Sequence, residues 1–186
     1  VLFDIDATLL VTSRSGLRAM RDAGVDLHGP RFDTHHVEFA GRLDPLIVRD
    51  LLQANGVDAT PPAMSAFRAR YREHLARRLG VPGVAKALPG VPALLAALGT
   101  RTDVVMGLLT GNFAETGRMK LEASGIDPAP FKVCAWGDES PHDPPDREHL
   151  PPVAVARFEA LRGRRPRRVT IVGDTPHDAR CARANA

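Results

Sequence analysis

The chain has 186 residues, 44% of them hydrophobic and 25% charged, with 25 Lys and Arg against 22 Asp and Glu. This balance is typical of a globular domain long enough to bury a core, and it excludes disordered, collagen-like and coiled-coil chains. No apolar run approaches the roughly 20 residues of a membrane span, no signal peptide opens the sequence and the two cysteines give no disulfide framework, so we expect a cytoplasmic protein.

The first half of the chain predicts one strand followed by helices. An apolar run indicates a buried strand over residues 1–5. N-cap residues, prolines in the first turn and terminal glycines then mark the helices up to residue 85. These markers predict helices over residues 15–23 with Gly24 as the stop, from Asp44 as N-cap to Asn55-Gly56, and from Thr60 to Gly80.

The second half alternates helices and apolar strands. The predicted elements are helix 91–98, strand 103–109, helix 113–123, strand 131–136, helix 149–162, strand 168–172 and a helix from about 176. Such alternation indicates βαβ units and a parallel sheet covered on both faces. We therefore predict an α/β fold: a Rossmann-like parallel sheet core formed by residues 1–13 and 86–186, with helices on both faces, and an inserted all-helical cap formed by residues 14–85.

Polar side chains follow three of the predicted strands. Asp4 and Asp6 follow the first, Thr110-Gly111-Asn112 follows the second, and Asp174 and Asp178 follow the last. In an open parallel sheet, ligands bind beyond the carboxyl ends of the strands. Four carboxylates in one crevice repel each other, and a divalent cation relieves that repulsion. Oxygen ligands without His or Cys favour Mg²⁺.

A carboxylate beside Mg²⁺ can attack phosphorus and form an aspartyl-phosphate. A second carboxylate two residues along the chain can protonate the leaving oxygen and then activate water. The transferring phosphoryl group also needs a hydroxyl donor and a cation on its remaining oxygens. Thr110 can supply the hydroxyl, and an Arg or Lys must supply the cation.

These residues resemble the haloacid dehalogenase-like (HAD) superfamily. Its first motif, hhhDxDxT, corresponds to Asp4–Leu9, its second to Leu108–Asn112 and its fourth, GDxxxD, to Gly173–Asp178. The third motif is a Lys or Arg upstream of the fourth, and Arg147 is the candidate. The resemblance spans the whole chain, including the helical cap after the first motif.

The resemblance implies a role for each matched residue. Asp4 is the nucleophile and a metal ligand, and Asp6 is the general acid/base that lends its backbone carbonyl to the metal. Thr110 and Arg147 hold the phosphoryl oxygens. Asp174 ligates Mg²⁺ directly, and Asp178 supports the metal site.

The carboxylate of Asp6 favours a phosphatase or phosphomutase over a dehalogenase, and the layout most resembles the phosphoglycolate phosphatase-like and β-phosphoglucomutase-like group. We expect a Mg²⁺-dependent phosphatase acting on a small phosphorylated metabolite through an aspartyl-phosphate. Gly111, Asn112 and Arg42 are the candidate substrate-binding residues. The alternatives are a phosphomutase on sugar phosphates and a catalytically silent HAD-scaffold binding protein. We expect no nucleic-acid or membrane partner, and the sequence carries no indication of oligomeric state.

Three features depart from the family pattern or invite another interpretation. Ala7 stands where the family usually has Gly, so a positive φ there would strain the backbone. Lys120 is a rival to Arg147 as the phosphate-binding cation, although its helix position favours a solvated side chain. Five arginines within residues 162–168 could bind nucleic acid, but a solvent-exposed loop is favoured, and without them the formal charge changes from +3 to −2.

The end of the sequence raises one more expectation. A core of this group ordinarily continues past the fourth motif into another strand and helix, so the resemblance implies that the 186 residues are a fragment, with a few residues missing in front and a strand-helix unit behind. Strand 168–172 is then expected at an open edge of the sheet.

Overall fold

A computed structural model describes residues 1–185 of the chain. In chain order the strands are β1 (Leu2–Phe3), β2 (Leu10–Val11), β3 (Lys86–Ala87), β4 (Gly107–Leu109), β5 (Val133–Ala135) and β6 (Ile171–Val172). The helices are α1 (Ser15–His28), α2 (Asp44–Ala54), α3 (Pro61–Leu79), α4 (Val91–Gly99), α5 (Ala114–Ala123), α6 (Leu150–Arg162) and α7 (Pro176–Ala184), with a 3-10 turn over Arg147–His149 before α6.

The larger sheet is parallel and has the strand order β5-β4-β1-β6. Leu2 of β1 lies opposite Gly107 of β4 on one side and Ile171 of β6 on the other. This arrangement confirms the predicted α/β fold with a parallel sheet. Within the described residues, β6 lies at an edge of the sheet, as expected for strand 168–172.

Strands β1, β4 and β5 are largely buried on both faces, which explains why they lack alternation of polar and apolar residues. Neighbouring residues of one strand enter different apolar clusters: Phe3 packs with Met106 and Leu121, whereas Leu2 packs with Val133 and Ala154. Helix α6 lies against β4 and β5, and α7 lies against β6. The core therefore continues through the sheet rather than along one face.

Helices α1, α2 and α3 enclose a separate apolar cluster. Phe67 and Tyr71 of α3 pack there with Leu51 of α2 and Met20 of α1, and Phe113 joins them from the loop before α5. The chain enters and leaves this helical segment through β2 and β3, which pair antiparallel, Leu10 opposite Ala87. Strands of two residues are too short to show a periodic pattern, which is why this small sheet was not predicted.

Two predicted helix ends are wrong. Helix α1 continues past Gly24 to His28, because Gly24 is buried in the helix and leaves room for the Phe32 ring, which a Cβ would approach to 2.1 Å. Asp44 does not cap its own helix: Leu43 is the N-cap residue, and the Asp44 carboxylate accepts a hydrogen bond from the Phe113 backbone N–H at 3.1 Å. In contrast, Thr60 caps α3 as predicted, accepting from Ala63 N at 3.4 Å.

Across residues 1–185, none of the helices combines the length and apolar character that crossing a bilayer demands.

Candidate active site

The carboxyl ends of three neighbouring strands meet at one end of the sheet. Asp4 follows β1, Thr110 follows β4 and Asp174 lies two residues beyond β6. Because β1 is hydrogen-bonded between β4 and β6, these three residues reach the same crevice. Together they line a cleft of about 480 Å³, in which Asp4 and Thr110 are buried and Asp174 is exposed. The structure thus brings together the ends of the strands that the sequence singled out.

Three carboxylates at and beside this cleft are close enough to share a cation. Asp4, Asp174 and Asp178 each offer an oxygen, and the three oxygens lie within 4.8 Å of one another. The donor set consists of carboxylate oxygens, without His or Cys, and such hard ligands suit Mg²⁺. The carboxylate of Asp6 lies outside the group. Its predicted contribution to the metal site, through the backbone carbonyl, remains a prediction.

Asp178 combines two tasks at the start of α7. Its Oδ2 accepts hydrogen bonds from Thr175 N at 3.0 Å and from Thr175 Oγ1 at 2.7 Å, which stabilises the first turn of the helix. Its Oδ1 accepts a hydrogen bond from Nη2 of Arg147, a residue that lines the cleft, at 2.7 Å. Gly173 makes this geometry feasible, because a Cβ there would lie 2.0 Å from Asp178 Cγ. Helix capping and participation in the acidic group therefore coexist in one side chain.

Arg147 lies at the centre of the buried charges. Its Nη2 is 2.9 Å from Asp4 Oδ1 and also donates to the Leu109 carbonyl at 3.3 Å, while Nη1 donates to the Gly41 carbonyl at 3.0 Å. Burial lowers the pKa of Arg147, but the carboxylates of Asp4 and Asp178 outweigh that effect and raise it overall. The guanidinium stays charged and ties the nucleophile candidate to both the sheet and the helical segment.

Lys120 is buried, so the predicted solvated position on its helix is wrong. Its Nζ donates to Asp6 Oδ2 and to Asn112 Oδ1, both at 2.6 Å. Burial lowers the pKa of Lys120, but the carboxylates of Asp6 and Asp44 raise it overall, so the ammonium remains charged. The helical periodicity of α5 could have indicated this burial, because Lys120 lies one turn after Thr116 on the buried face of the helix.

Asn112 links the two halves of the site. Its Nδ2 donates to Asp6 Oδ2 at 2.9 Å and to Thr110 Oγ1 at 2.8 Å, and its Oδ1 accepts from Lys120. The amide is buried and its hydrogen bonds hold the neighbouring side chains in place. Asn112 was predicted to bind substrate, and the structure places it as an internal support for Asp6 and Thr110 that also lines the cleft.

Gly111 and Arg42 lie where the helical segment touches the sheet. A Cβ on Gly111 would lie 1.9 Å from the Arg42 carbonyl oxygen, and the Gly111 carbonyl accepts from Asp44 N at 2.7 Å. Only glycine permits this close approach. Arg42 lines the cleft, but its guanidinium donates to Asp50 Oδ2 at 2.5 Å and to the Glu38 carbonyl at 3.1 Å.

The nucleophile candidate is electrostatically perturbed. Burial raises the pKa of Asp4 to about 6, and the negative charges of Asp6 and Asp178 act in the same direction, while Arg147 opposes them. A cation bound among Asp4, Asp174 and Asp178 would favour the ionised carboxylate, because an opposite charge at short range lowers the pKa of an acid. A pKa raised by burial and by neighbouring carboxylates is typical of functional sites.

Ala7, beside the acidic residues, adopts a φ of 59°. This left-handed conformation costs an L-residue roughly 1–2 kcal/mol relative to the right-handed one. Alanine therefore replaces the family's usual glycine at the cost of backbone strain. Ala7 also lines the cleft.

Two further residues of the cleft are Tyr71, to which the sequence analysis gave no role at the site, and Asp44, whose position beside Arg42 suggested only a place in a specificity loop. Tyr71 of α3 is buried and lines the cleft. Asp44 is buried beside Lys120, and burial raises the pKa of Asp44 to about 7. Neither belongs to a motif of spaced acidic or glycine residues, and only the packing of the helical segment on α5 brings them to the site.

Comparison with known proteins is consistent with this geometry. The family model for haloacid dehalogenase-like hydrolases matches residues 1–183. No curated protein matches the chain. Among solved structures, a hydrolase from Pseudomonas syringae has 21% sequence identity and a TM-score of 0.72, with 98% of this chain and 78% of that chain covered.

Two further structures have similar folds. CbbY from Rhodobacter sphaeroides, in complex with phosphate, has 20% identity and a TM-score of 0.77, with 98% of this chain and 80% of that chain covered. A "predicted phosphoglycolate phosphatase" from Haemophilus somnus has 19% identity and a TM-score of 0.66, with 98% and 79% covered. At these identities the likeness establishes the shared fold.

Proposed function

The chain belongs to the haloacid dehalogenase-like hydrolase family, and we propose that it is a Mg²⁺-dependent phosphatase that hydrolyses a small phosphorylated metabolite through an aspartyl-phosphate on Asp4. The observation that carries the proposal is the position of Asp4. It is buried at the end of the central strand, grouped with Asp174 and Asp178, and 2.9 Å from the Arg147 guanidinium.

The acidic group fits Mg²⁺, as its oxygen donors and the raised pKa of Asp4 indicate. Asp4, Asp174 and Asp178 would hold the ion, together with the backbone carbonyl of Asp6 that the family resemblance implies. When bound, Mg²⁺ supplies positive charge that neutralises these carboxylates and stabilises charge on the phosphoryl oxygens.

In the first step, a carboxylate oxygen of Asp4 forms a bond to phosphorus as the bond from phosphorus to the leaving oxygen breaks. Asp6 donates a proton to that oxygen, so the leaving group departs as an alcohol. In the second step, Asp6 takes a proton from water as the water oxygen attacks phosphorus. The bond from Asp4 to phosphorus then breaks, which releases inorganic phosphate and restores the carboxylate.

The surrounding side chains have distinct tasks in this scheme. Lys120 and Asn112 orient the Asp6 carboxylate, which is half-exposed and faces the cleft. Thr110 and Arg147 hold the phosphoryl oxygens, and Arg147 is the better placed cation because it directly contacts Asp4. A preorganised guanidinium at the transferring group stabilises the charge that develops in the transition state.

We propose further that residues 14–85 act as a cap over this chemistry. Residues of that segment, among them Met20, Phe39 and Tyr71, form one wall of the cleft opposite the strand ends. Closure of such a cap excludes water during attack and lets its side chains select the substrate. A cleft of about 480 Å³ suits a small metabolite. CbbY, which shares the fold, has been crystallised with phosphate and, as a mutant, with xylulose-1,5-bisphosphate, which supports a phosphorylated substrate.

The decisive test is the substitution Asp4→Asn. It removes the nucleophilic oxygen while keeping the size of the side chain, so hydrolysis of p-nitrophenyl phosphate in the presence of Mg²⁺ should fall by at least about 10³-fold. Asp58→Asn is the matched control, because Asp58 is exposed and lies away from the cleft. Undiminished turnover by Asp4→Asn would refute the mechanism.

A further inference from the structure

A strained turn places one arginine at the cleft. Ser13 and Arg14, between β2 and α1, both adopt the left-handed conformation, with φ of 51° and 61°. Consecutive non-glycine residues in this region are uncommon and costly, and such strain is retained where the surrounding structure or a function requires it. Arg14 is the N-cap residue of α1, yet its side chain makes no capping hydrogen bond. Helix capping therefore does not account for arginine at this position.

Arg14 differs from the other cations of the cleft in having no partner. Arg42 is paired with Asp50, Lys120 with Asp6, and Arg147 with Asp4 and Asp178. Across residues 1–185, Arg14 is an exposed residue that lines the cleft, and its side chain makes no salt bridge or hydrogen bond. Its charge is therefore available to a ligand without the cost of breaking an internal ion pair.

The surroundings of Arg14 suggest which part of a ligand it meets. Leu17, Met20 and Ile47 line the cleft on the side of the helical segment, whereas the acidic group and Arg147 lie at the strand ends. If the phosphoryl group binds at the strand ends, the remainder of the substrate faces this mostly apolar wall. Arg14 supplies an unpaired positive charge to this part of the cleft.

We propose that Arg14 binds a second anionic group, carried by the leaving-group portion of the substrate, so that the protein prefers phosphate esters bearing a carboxylate or a further phosphate. This inference rests on the proposed phosphatase function. A guanidinium presents a planar fork of donors that matches both carboxylate and phosphate, so the two classes share one recognition chemistry. Arg14 is a specificity residue in this proposal, and it takes no part in the bond-breaking steps.

The test compares three esters with the same three-carbon chain: propyl phosphate, 3-phosphooxypropanoate and propane-1,3-diol bisphosphate. The wild-type protein should hydrolyse at least one of the two charged esters with a kcat/KM about tenfold above that of propyl phosphate. The preferred ester distinguishes a carboxylate from a phosphate as the second group. Arg14→Ala removes the guanidinium but keeps a non-glycine residue at the left-handed position. It should bring the ratio of kcat/KM between the preferred charged ester and propyl phosphate close to one, mainly by raising KM for the charged ester.

Arg18→Ala is the matched control. Arg18 is exposed one turn further along α1, carries the same charge and does not line the cleft, so its loss should leave the ratio unchanged. Arg14→Gly is a second variant that removes the guanidinium together with the backbone strain, so a folding defect cannot explain a shared loss of preference. Equal kcat/KM for all three esters in the wild type, or a ratio retained in both Arg14 variants, would overturn the inference.

A binding measurement separates this inference from the phosphatase proposal. If the wild type hydrolyses none of the esters, the phosphatase function fails, but calorimetry in Mg²⁺ with propane-1,3-bisphosphonate, 3-phosphonopropanoate and propylphosphonate still tests Arg14. About tenfold tighter binding of either charged compound by the wild type, lost in Arg14→Ala and kept in Arg18→Ala, supports it. Equal binding of all three by the wild type contradicts it.

Discussion

Asp44 shows how a single buried carboxyl can couple the site to the stability of the fold. Its side chain accepts the Phe113 N–H and its backbone N–H donates to the Gly111 carbonyl, so it connects the start of α2 to the loop before α5. Burial raises the pKa of Asp44 to about 7, while Lys120 acts in the opposite direction. The folded protein therefore holds the Asp44 proton more tightly than the unfolded chain does.

This difference predicts a pH dependence of stability. Because the pKa is raised on folding, the stabilising contribution of Asp44 is complete below about pH 4 and is lost as the pH rises through 7. Asp44→Asn cannot ionise, so the wild type should lose on the order of 3 kcal/mol of unfolding free energy relative to the variant between pH 4 and pH 7.5.

Urea unfolding of both proteins across that range, in metal-free buffer, measures the difference. Asp4 titrates in both proteins, so its contribution to the pH dependence of the unfolding free energy cancels in the difference between them. Parallel pH profiles for Asp44→Asn and the wild type would show that Asp44 is ionised throughout and stabilised by Lys120.

At the scale of elements, Arg68 links α3 of the helical segment to α5 and to the loop after β5. Its Nε and Nη2 donate to the two carboxylate oxygens of Glu115 on α5, at 2.6 and 2.8 Å, and its Nη1 donates to Asp138 at 2.8 Å. The guanidinium carbon lies 4.0 Å from the centre of the Phe113 ring. A bidentate pair with a stacked aromatic ring is a stronger link than an ordinary surface salt bridge.

Glu115→Gln should loosen this link without altering its shape. Because Glu115 is partly solvated, we expect a loss of about 0.5–1 kcal/mol in unfolding free energy and faster hydrogen exchange in α3. Glu122→Gln, an exposed position on the same helix, serves as the comparison. Equal exchange rates in α3 for the two variants would mean that apolar packing alone holds α3 in place.

The elements also show what could be predicted from sequence. Capping residues and prolines located most helices, because those signals are local, and the three strand-end motifs identified Asp4, Thr110 and Asp174 as neighbours. Gly24 was wrongly predicted to end α1. It lies inside the helix, because the Phe32 ring packs where a side chain at this position would be. The burial of Lys120 and Asp44 could not be predicted, since it depends on tertiary contacts that no local pattern encodes: α3 packs on α5, and Asp44 binds the backbone before α5.

Within residues 1–185, β6 is an edge strand of the sheet, and this has a physical consequence for the 186-residue chain. An edge strand offers unpaired backbone groups to another chain, and charge beside the edge opposes such pairing. Val169 and Val172 are exposed there, and the five arginines within residues 162–168 lie directly before the strand. Apolar exposure favours association of two copies, and the arginines repel them.

We therefore expect the isolated 186-residue chain to self-associate more strongly as the salt concentration rises. Sedimentation at about 0.05 M and 0.5 M NaCl should show a higher average mass at the higher ionic strength, where the repulsion is screened. Val169→Lys should reduce that increase, whereas Leu94→Lys, which changes an exposed apolar residue on α4, should not. A mass independent of salt in the wild type would contradict the expectation.

The central position of β1 also sets the order in which the active site can assemble. Asp4 directly follows β1, but β1 pairs with β4, more than a hundred residues later, and with β6 near residue 171. Contacts of such long sequence separation form slowly, because the loop-closure entropy must be overcome first. During synthesis, Asp4 therefore precedes Asp174 and Asp178 by about 170 residues, and every chain interrupted before β6 carries the proposed nucleophile without the two carboxylates proposed to share its metal ion.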